Sequence, residues 1–101
     1  MLFRQGDVLL VSVDAVPEGG EAIKRANQPI VLAYGETTGH SHMVADRHVK
    51  VVDAAGDRYL VAARPFTVRH EEHAPVQVPA GTFKVVLQRE YSPKAIRRVI
   101  D

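Results

Sequence analysis

The sequence predicts a single, mostly β domain: a small barrel or sandwich of about eight short strands with a short C-terminal helix. Three observations support this prediction. The chain has 101 residues, a length that favours one hydrophobic core over two. Short apolar runs rich in β-branched residues recur along it. Glycine, proline and aspartate separate these runs at intervals of about ten residues, a spacing typical of barrels and sandwiches. We therefore treat residues 1–101 as one domain.

The individual strands are predicted where β-branched and aromatic residues cluster between turn residues. In chain order these strands are Val8–Val13, Ile30–Tyr34, His40–Ala45, His48–Val52, Arg58–Ala63, Phe66–His70, Val76–Val78 and Thr82–Tyr91. Ser92 and Pro93 follow as the predicted N-cap and first residue of a helix. Ile96, Val99 and Ile100 would share one face of that helix.

Composition and charge argue against several classes of protein. Thirteen basic and twelve acidic residues give a formal charge of +1, which argues against a polybasic nucleic-acid-binding surface. The absence of cysteine rules out a disulfide framework and a thiolate metal site, and it favours a reducing compartment. The apolar run Val8–Val11 is too short to span a bilayer or to form a signal peptide. We expect a cytoplasmic protein with no membrane partner.

The five histidines are the unusual feature of the composition, and four of them form two clusters. In the first cluster, Gly39-His40-Ser41-His42, the two histidines are two residues apart and would share one face of a strand. The glycine-containing loop before them leaves backbone N–H groups accessible to an anion. This cluster predicts metal ligation or acid–base chemistry on a phosphoester; the alternative is a polar surface strand without a ligand.

The second cluster, His70-Glu71-Glu72-His73, has a spacing that depends on the local conformation. On a strand, His70 and Glu72 would share one face, whereas on a helical turn His70 and His73 would lie close together. The strand-like residues before it and Ala74-Pro75 after it favour a strand that ends in a turn. The two histidines lack the i, i+4 spacing of helical zinc proteases, and a solvated, charged strand end is the alternative interpretation.

The middle half of the chain resembles the two motifs of cupins. The resemblance is carried by His40-x-His42, then Asp46, then Pro79-x-Gly81. It implies a β-rich fold and a divalent metal such as zinc, iron or nickel, with the ligands drawn from His40, His42, His70 and His73.

Two positions depart from the cupin pattern. Lys84 stands where cupins usually carry a metal-binding histidine, and Asp46 replaces the customary glutamate. An ammonium group in place of a neutral imidazole disfavours a divalent cation and favours a phosphate. The sequence therefore predicts that no metal is needed, with the histidine metal site as the alternative.

Over its whole length the chain resembles a group of small uncharacterised proteins of bacteria, phages and mobile elements. The shared blocks are the opening Gln5–Val8, the GHSH block at Gly39–His42, the HEEH block at His70–His73 and the PxG…QREY ending at Pro79–Tyr91. Some very small proteins of that setting are ring nucleases, which degrade the cyclic oligoadenylate signals of type III CRISPR antiviral defence. The resemblance implies a ring-nuclease-like activity as one expectation.

The leading functional hypothesis is a metal-independent phosphodiesterase that needs no cofactor. Cleavage of an RNA linkage through the neighbouring 2′-hydroxyl needs a base and an acid, and histidine suits both because its pKa is ordinarily about 6.5. We expect His40 or His42 to supply one partner and His70 or His73 the other. Glu72 would orient a histidine tautomer.

Five further residues are assigned to the substrate, an RNA or a cyclic oligonucleotide. Lys84 and Arg89 would stabilise the phosphate charge. Gly39 would donate a backbone N–H group and Ser41 its hydroxyl. Tyr34, beside the glycine loop, is the predicted platform on which an adenine base stacks.

Two other hypotheses come from different functional classes. The second is a cupin-like protein that binds a divalent metal through its histidines. The third is a non-catalytic adaptor of a mobile element, whose histidines sense pH or bind a partner. For the leading hypothesis a homodimer is also expected, because two-fold symmetry suits a cyclic ligand.

Overall fold

The computed structural model describes residues 1–34 and 40–88 of the chain. These residues form ten strands: β1 (Leu2–Gln5), β2 (Val8–Ser12), β3 (Glu21–Ile23), β4 (Ile30–Tyr34), β5 (Ser41–Val44), β6 (Val49–Ala54), β7 (Asp57–Ala62), β8 (Phe66–Val68), β9 (Val76–Val78) and β10 (Gly81–Leu87). The mostly β prediction is confirmed, with ten strands in place of about eight. The predicted C-terminal helix lies outside the described residues. Across 1–34 and 40–88, no helix is long and apolar enough to cross a membrane.

The strands form one large sheet and two hairpins. The large sheet is antiparallel, with strand order β1-β2-β10-β7-β6-β3, while β4 pairs with β5 and β8 pairs with β9. Because β1 and β3 end the large sheet on opposite sides, the described part of the chain forms no closed barrel. Of the two predicted architectures, the sandwich is the one that the structure matches.

The hydrophobic core lies between one face of the large sheet and the two hairpins. The register places Leu10 opposite Val85 and Phe83 opposite Leu60, so that their side chains share this face. The hairpins complete the same apolar cluster with Ile30, Leu32, Ala33, Val44, Phe66, Val68 and Val78. Burial of these side chains is the main source of stability, because a strand pair alone is marginal in water.

The sequence-based prediction missed β1 and β3, and each omission has a local reason. β1 is four residues long and exposes Leu2 and Arg4, so it carries little hydrophobic pattern. β3 is three residues long and all three are exposed. Both are edge strands whose existence depends on a neighbour's backbone hydrogen bonds, which a local pattern does not encode.

The two faces of β2 allow a test of the core with neighbouring leucines. Leu10 is 2% exposed and faces the hairpins, whereas Leu9 lies on the other face and is partly exposed. We expect Leu10→Ala to lower the free energy of unfolding by about 2–5 kcal/mol, since it removes fully buried methyl groups and leaves a cavity. Leu9→Ala should cost about 1 kcal/mol. Urea denaturation of both variants measures the difference, and equal losses would contradict this assignment of faces.

The Asp53–Arg58 ion pair gives a pH-dependent prediction. Two hydrogen bonds of 2.8 and 3.0 Å join the side chains across the β6–β7 hairpin, and the hydrogen bond from Arg58 lowers the pKa of Asp53. Because the folded-state pKa lies below the unfolded one, the stabilisation is present above about pH 4. It is lost as the pH falls through the lowered pKa.

We expect Asp53→Asn to cost about 0.2–1 kcal/mol at neutral pH, because both side chains are solvent-accessible and salt screens the pair. Denaturation at pH 7 and at pH 2 measures this cost, which should vanish at the lower pH. Asp14→Asn, which changes an exposed aspartate, is the charge-matched control. A cost for Asp53→Asn that did not depend on pH would show that the ion pair contributes nothing.

Candidate functional site

The two histidine clusters meet through one antiparallel bridge. The Met43 N–H group donates to the Arg69 carbonyl at 2.9 Å, and the Arg69 N–H group donates to the Met43 carbonyl at 2.8 Å. Continuing this antiparallel register by one residue places His42 opposite His70. Their ring centroids are 4.4 Å apart. Backbone pairing therefore brings together two side chains that are 28 positions apart in the sequence.

His73 reaches the same place through a tight turn. The backbone N–H groups of Glu72 and His73 both donate to Nδ1 of His70, at 3.0 and 3.2 Å. The turn brings Nδ1 of His73 to 3.0 Å from Nδ1 of His70, and the ring of His73 to 5.4 Å from that of His42. The predicted strand extends only to Val68, with a bridge at Arg69, and the residues that follow form the turn. The closeness of His70 and His73 is what the sequence predicted for a turn and not for a strand.

His42, His70 and His73 together have the spacing of a metal site. One ring nitrogen from each lies within 4.8 Å of the others. Two imidazole ligands of a tetrahedral zinc ion are about 3.3 Å apart, given bonds of about 2.0–2.1 Å. The 3.0 Å between Nδ1 of His70 and Nδ1 of His73 is a hydrogen-bond distance, and Nδ1 of His70 also accepts from two backbone N–H groups. Because His42 is buried, His70 half-buried and His73 exposed, the cluster is open to solvent on one side.

Gln5 forms the buried wall behind His42. Nδ1 of His42 donates to Oε1 of Gln5 at 2.8 Å, since an amide oxygen can only accept. The Gln5 amide nitrogen donates in turn to the carbonyls of Val68 and Ala74, at 3.0 and 2.9 Å. Gln5 was not among the predicted site residues, because a glutamine in a short strand carries no signal of a partner 37 positions away.

Gly6, at the turn between β1 and β2, lies next to the rings of His42 and His73. Its φ angle of +58° lies in the left-handed region that favours glycine. A Cβ atom added here would lie 3.0 Å from Nε2 of His73 and 3.1 Å from Cε1 of His42. Any other residue would therefore push against two of the three clustered rings and also strain the turn.

The solvent side of the cluster carries His40 and two glutamates. His40 lies 5.7 Å from the ring of His70, and its Nδ1 is 3.7 Å from Oε1 of Glu72. The Ser41 N–H group donates to Oε1 of Glu71 at 2.9 Å. That hydrogen bond lowers the pKa of Glu71, and the residue's own N–H group and the nearby His40 and His70 lower it further. Glu71 is therefore a fixed negative charge beside the histidines.

Lys84 is not brought to the histidines. It pairs with Val11, whereas Gln5 pairs with Val8. Because side chains alternate along a strand, Lys84 lies on the face of the large sheet opposite to Gln5. Its ammonium group is 3.4 Å from Asp57. The prediction that Lys84 places a positive charge beside the histidines is therefore wrong.

The remaining predicted residues fall into two groups. Tyr34 ends β4 opposite Ser41 and is 70% exposed, while Ser41 lies on the face of β5 opposite to His42. Gly39 and Arg89 lie outside the described residues.

Asp46, the counterpart of the cupin glutamate, accepts a hydrogen bond from the Thr67 N–H group at 3.4 Å, and so has a structural partner away from the cluster.

The fifth histidine, His48, also lies apart from the cluster. Its Nε2 is 3.0 and 3.1 Å from the carbonyls of Arg64 and Pro65. His48 is therefore a natural internal control for experiments on the other four histidines.

Comparison with known proteins identifies a family but no activity. The search of curated proteins and the search of solved structures each returned no match. One family model, described as a domain of unknown function (DUF8820), matches residues 4–88. The matched region contains Gln5, Gly6 and both histidine clusters. The chain therefore belongs to the DUF8820 family.

Proposed function

We propose that this protein binds a divalent transition-metal ion, zinc above all, through His42, His70 and His73. The observation that carries the proposal is the convergence of three imidazole nitrogens within 4.8 Å. Two of these rings are brought together by the Met43–Arg69 bridge, and the third is added by the turn that follows.

The chemistry of the donor set supports zinc as the best fit. Neutral imidazole is a good ligand for zinc, copper, iron and nickel, and three histidines are the ligand set of one well-known class of catalytic zinc site. Such a site keeps its fourth position open to water or substrate. A zinc ion held in this way supplies a Lewis acid and an activated water at neutral pH.

The surroundings of the cluster suit a cation. Glu71 and Glu72 place two carboxylates at the solvent side, and Glu71 stays ionised because of the Ser41 N–H group. Negative charge on the solvent side of the cluster raises the local concentration of cations. Gln5 and Gly6 close the opposite side with a neutral amide and uncharged backbone.

The metal-independent phosphodiesterase is the second candidate. It is favoured by His40, which lies near the carboxylate of Glu72 and 5.7 Å from the ring of His70, an arrangement that offers two imidazoles for proton transfer. The sequence predicted that Lys84 binds the phosphate, but Lys84 forms an ion pair with Asp57 on the other face of the large sheet, which counts against this candidate. For either candidate we propose a cytoplasmic location, since the chain carries no cysteine.

Metal content is the direct test of the leading proposal. Protein purified without a histidine tag and dialysed against zinc should bind about one ion per chain, as measured by elemental analysis and titration calorimetry. His42→Ala and His73→Ala should each lower the affinity by at least about 100-fold, because each removes a ligand.

The control for this test is His48→Ala, which removes a histidine outside the cluster. It should bind zinc as the unmodified protein does, and circular dichroism should confirm that all variants are folded. Absence of stoichiometric metal from the unmodified protein, or an equal loss in His48→Ala, would contradict the proposal.

Catalysis separates the two candidates. Linear RNA and cyclic oligoadenylates are incubated with the protein, with and without EDTA, and the products are resolved by chromatography. Under the leading proposal any cleavage stops in EDTA and returns with added zinc. Cleavage that persists in EDTA, is lost in His40→Ala and requires a 2′-hydroxyl at the scissile position would support the second candidate instead.

A further inference from the structure

Gln5 is a buried polar side chain whose amide contacts three different parts of the chain. It is 4% exposed, and such deep burial of an amide is costly unless its polar atoms find partners. Here Oε1 accepts from His42, and Nε2 donates to the carbonyls of Val68 and Ala74. A flipped amide would set its oxygen against two carbonyl oxygens, so the observed orientation is the one that chemistry allows.

This orientation determines which nitrogen of His42 carries the proton. A neutral imidazole has one N–H group and one basic nitrogen. Because the amide oxygen accepts from Nδ1, the proton resides there and Nε2 is the basic nitrogen. A free imidazole side chain prefers the opposite arrangement, with the proton on Nε2. The protein therefore selects the less common tautomer of this residue.

The same side chain also holds the segment that bears the other two histidines. Val68 and Ala74 flank residues 69–73, and the Gln5 amide binds the carbonyl at each end. One glutamine thus connects the ring of His42 to both ends of the loop that carries His70 and His73. Gly6, the next residue, provides the close contact against which two of these rings rest.

We propose that Gln5 is the positioning residue of the cluster: it fixes His42 as the Nδ1–H tautomer, so that Nε2 is the nitrogen that binds the ion. The tautomer of His42 matters for metal binding, and this part of the inference rests on the proposed function. Ligating histidines commonly donate their second N–H group to a neighbouring acceptor, and loss of that acceptor typically weakens metal binding about 10- to 100-fold.

The test uses two substitutions that separate the roles of the amide oxygen and the amide nitrogen. Gln5→Leu removes both the acceptor for His42 and the donor for the loop. Gln5→Glu keeps a side-chain acceptor for His42 but, as a carboxylate, does not donate to Val68 or Ala74. Gln77→Leu, which changes an exposed glutamine on β9, is the matched control.

The tautomer is measured in metal-free protein at neutral pH, by two-bond 1H–15N correlation spectra of the histidine rings. We expect the Nδ1–H form of His42 in the unmodified protein, in Gln77→Leu and in Gln5→Glu, and a shift towards the Nε2–H form in Gln5→Leu. A purely structural role for Gln5 would affect both Gln5 variants alike, because both lose the loop contacts. Proton occupancy at Nε2 in the unmodified protein would overturn the inference, even if Gln5→Leu failed to fold.

Zinc titration completes the experiment. Gln5→Leu should bind about 10- to 100-fold more weakly than the unmodified protein, and Gln5→Glu should lie closer to the unmodified value. Equal affinities for Gln5→Leu and Gln77→Leu would contradict a positioning role. If His42 is the Nδ1–H tautomer and zinc does not bind at all, the metal proposal fails while the tautomer assignment holds, so the two failures are distinguishable.

Discussion

The reciprocal pair of backbone hydrogen bonds between Met43 and Arg69 determines the geometry of the cluster. These two bonds set the register between β5 and the residues that follow β8. A shift of that register by one residue would turn His42 and His70 to opposite faces. The clustered rings, the Ser41–Glu71 hydrogen bond and the approach of His40 to Glu72 all follow the same register.

The buried polar groups beside this backbone pairing hydrogen-bond to one another. His42 lies at the border of an apolar core formed by three sheets, where an unpaired imidazole nitrogen would be costly. Gln5 supplies the partner and is itself satisfied by two carbonyls at the ends of the histidine loop. The polar side chains thus form a connected network, of the kind that rigidifies a site when all of its members are paired.

The sequence identified the histidines of the candidate site but not the residues that surround them. The i, i+2 spacing of His40 and His42 predicted that these two side chains share a strand face, but it did not predict the second cluster beside them, which depends on the Met43–Arg69 bridge. Ala74-Pro75 indicated a turn after His70, and the chain does turn there. The local pattern missed Gln5, because its partners lie 37 to 69 positions away. Lys84 was assigned from a motif alone, and the alternation along β10 places it on the other face of the large sheet. Periodicity fixes faces within a strand, whereas contacts between strands depend on topology.

The Gln5 contacts have a consequence for the dynamics of the protein. Within residues 1–34 and 40–88, β1 is an edge strand that pairs with β2 alone, and edge strands open locally more readily than central ones. Yet this strand holds the side chain that joins His42 to the loop of His70 and His73. Any ligand that binds only the assembled cluster must therefore reduce the opening of β1, in proportion to its concentration over its dissociation constant. Slower hydrogen exchange at the N-terminus would then report occupancy of a site whose histidines lie some 37 or more residues further along the chain.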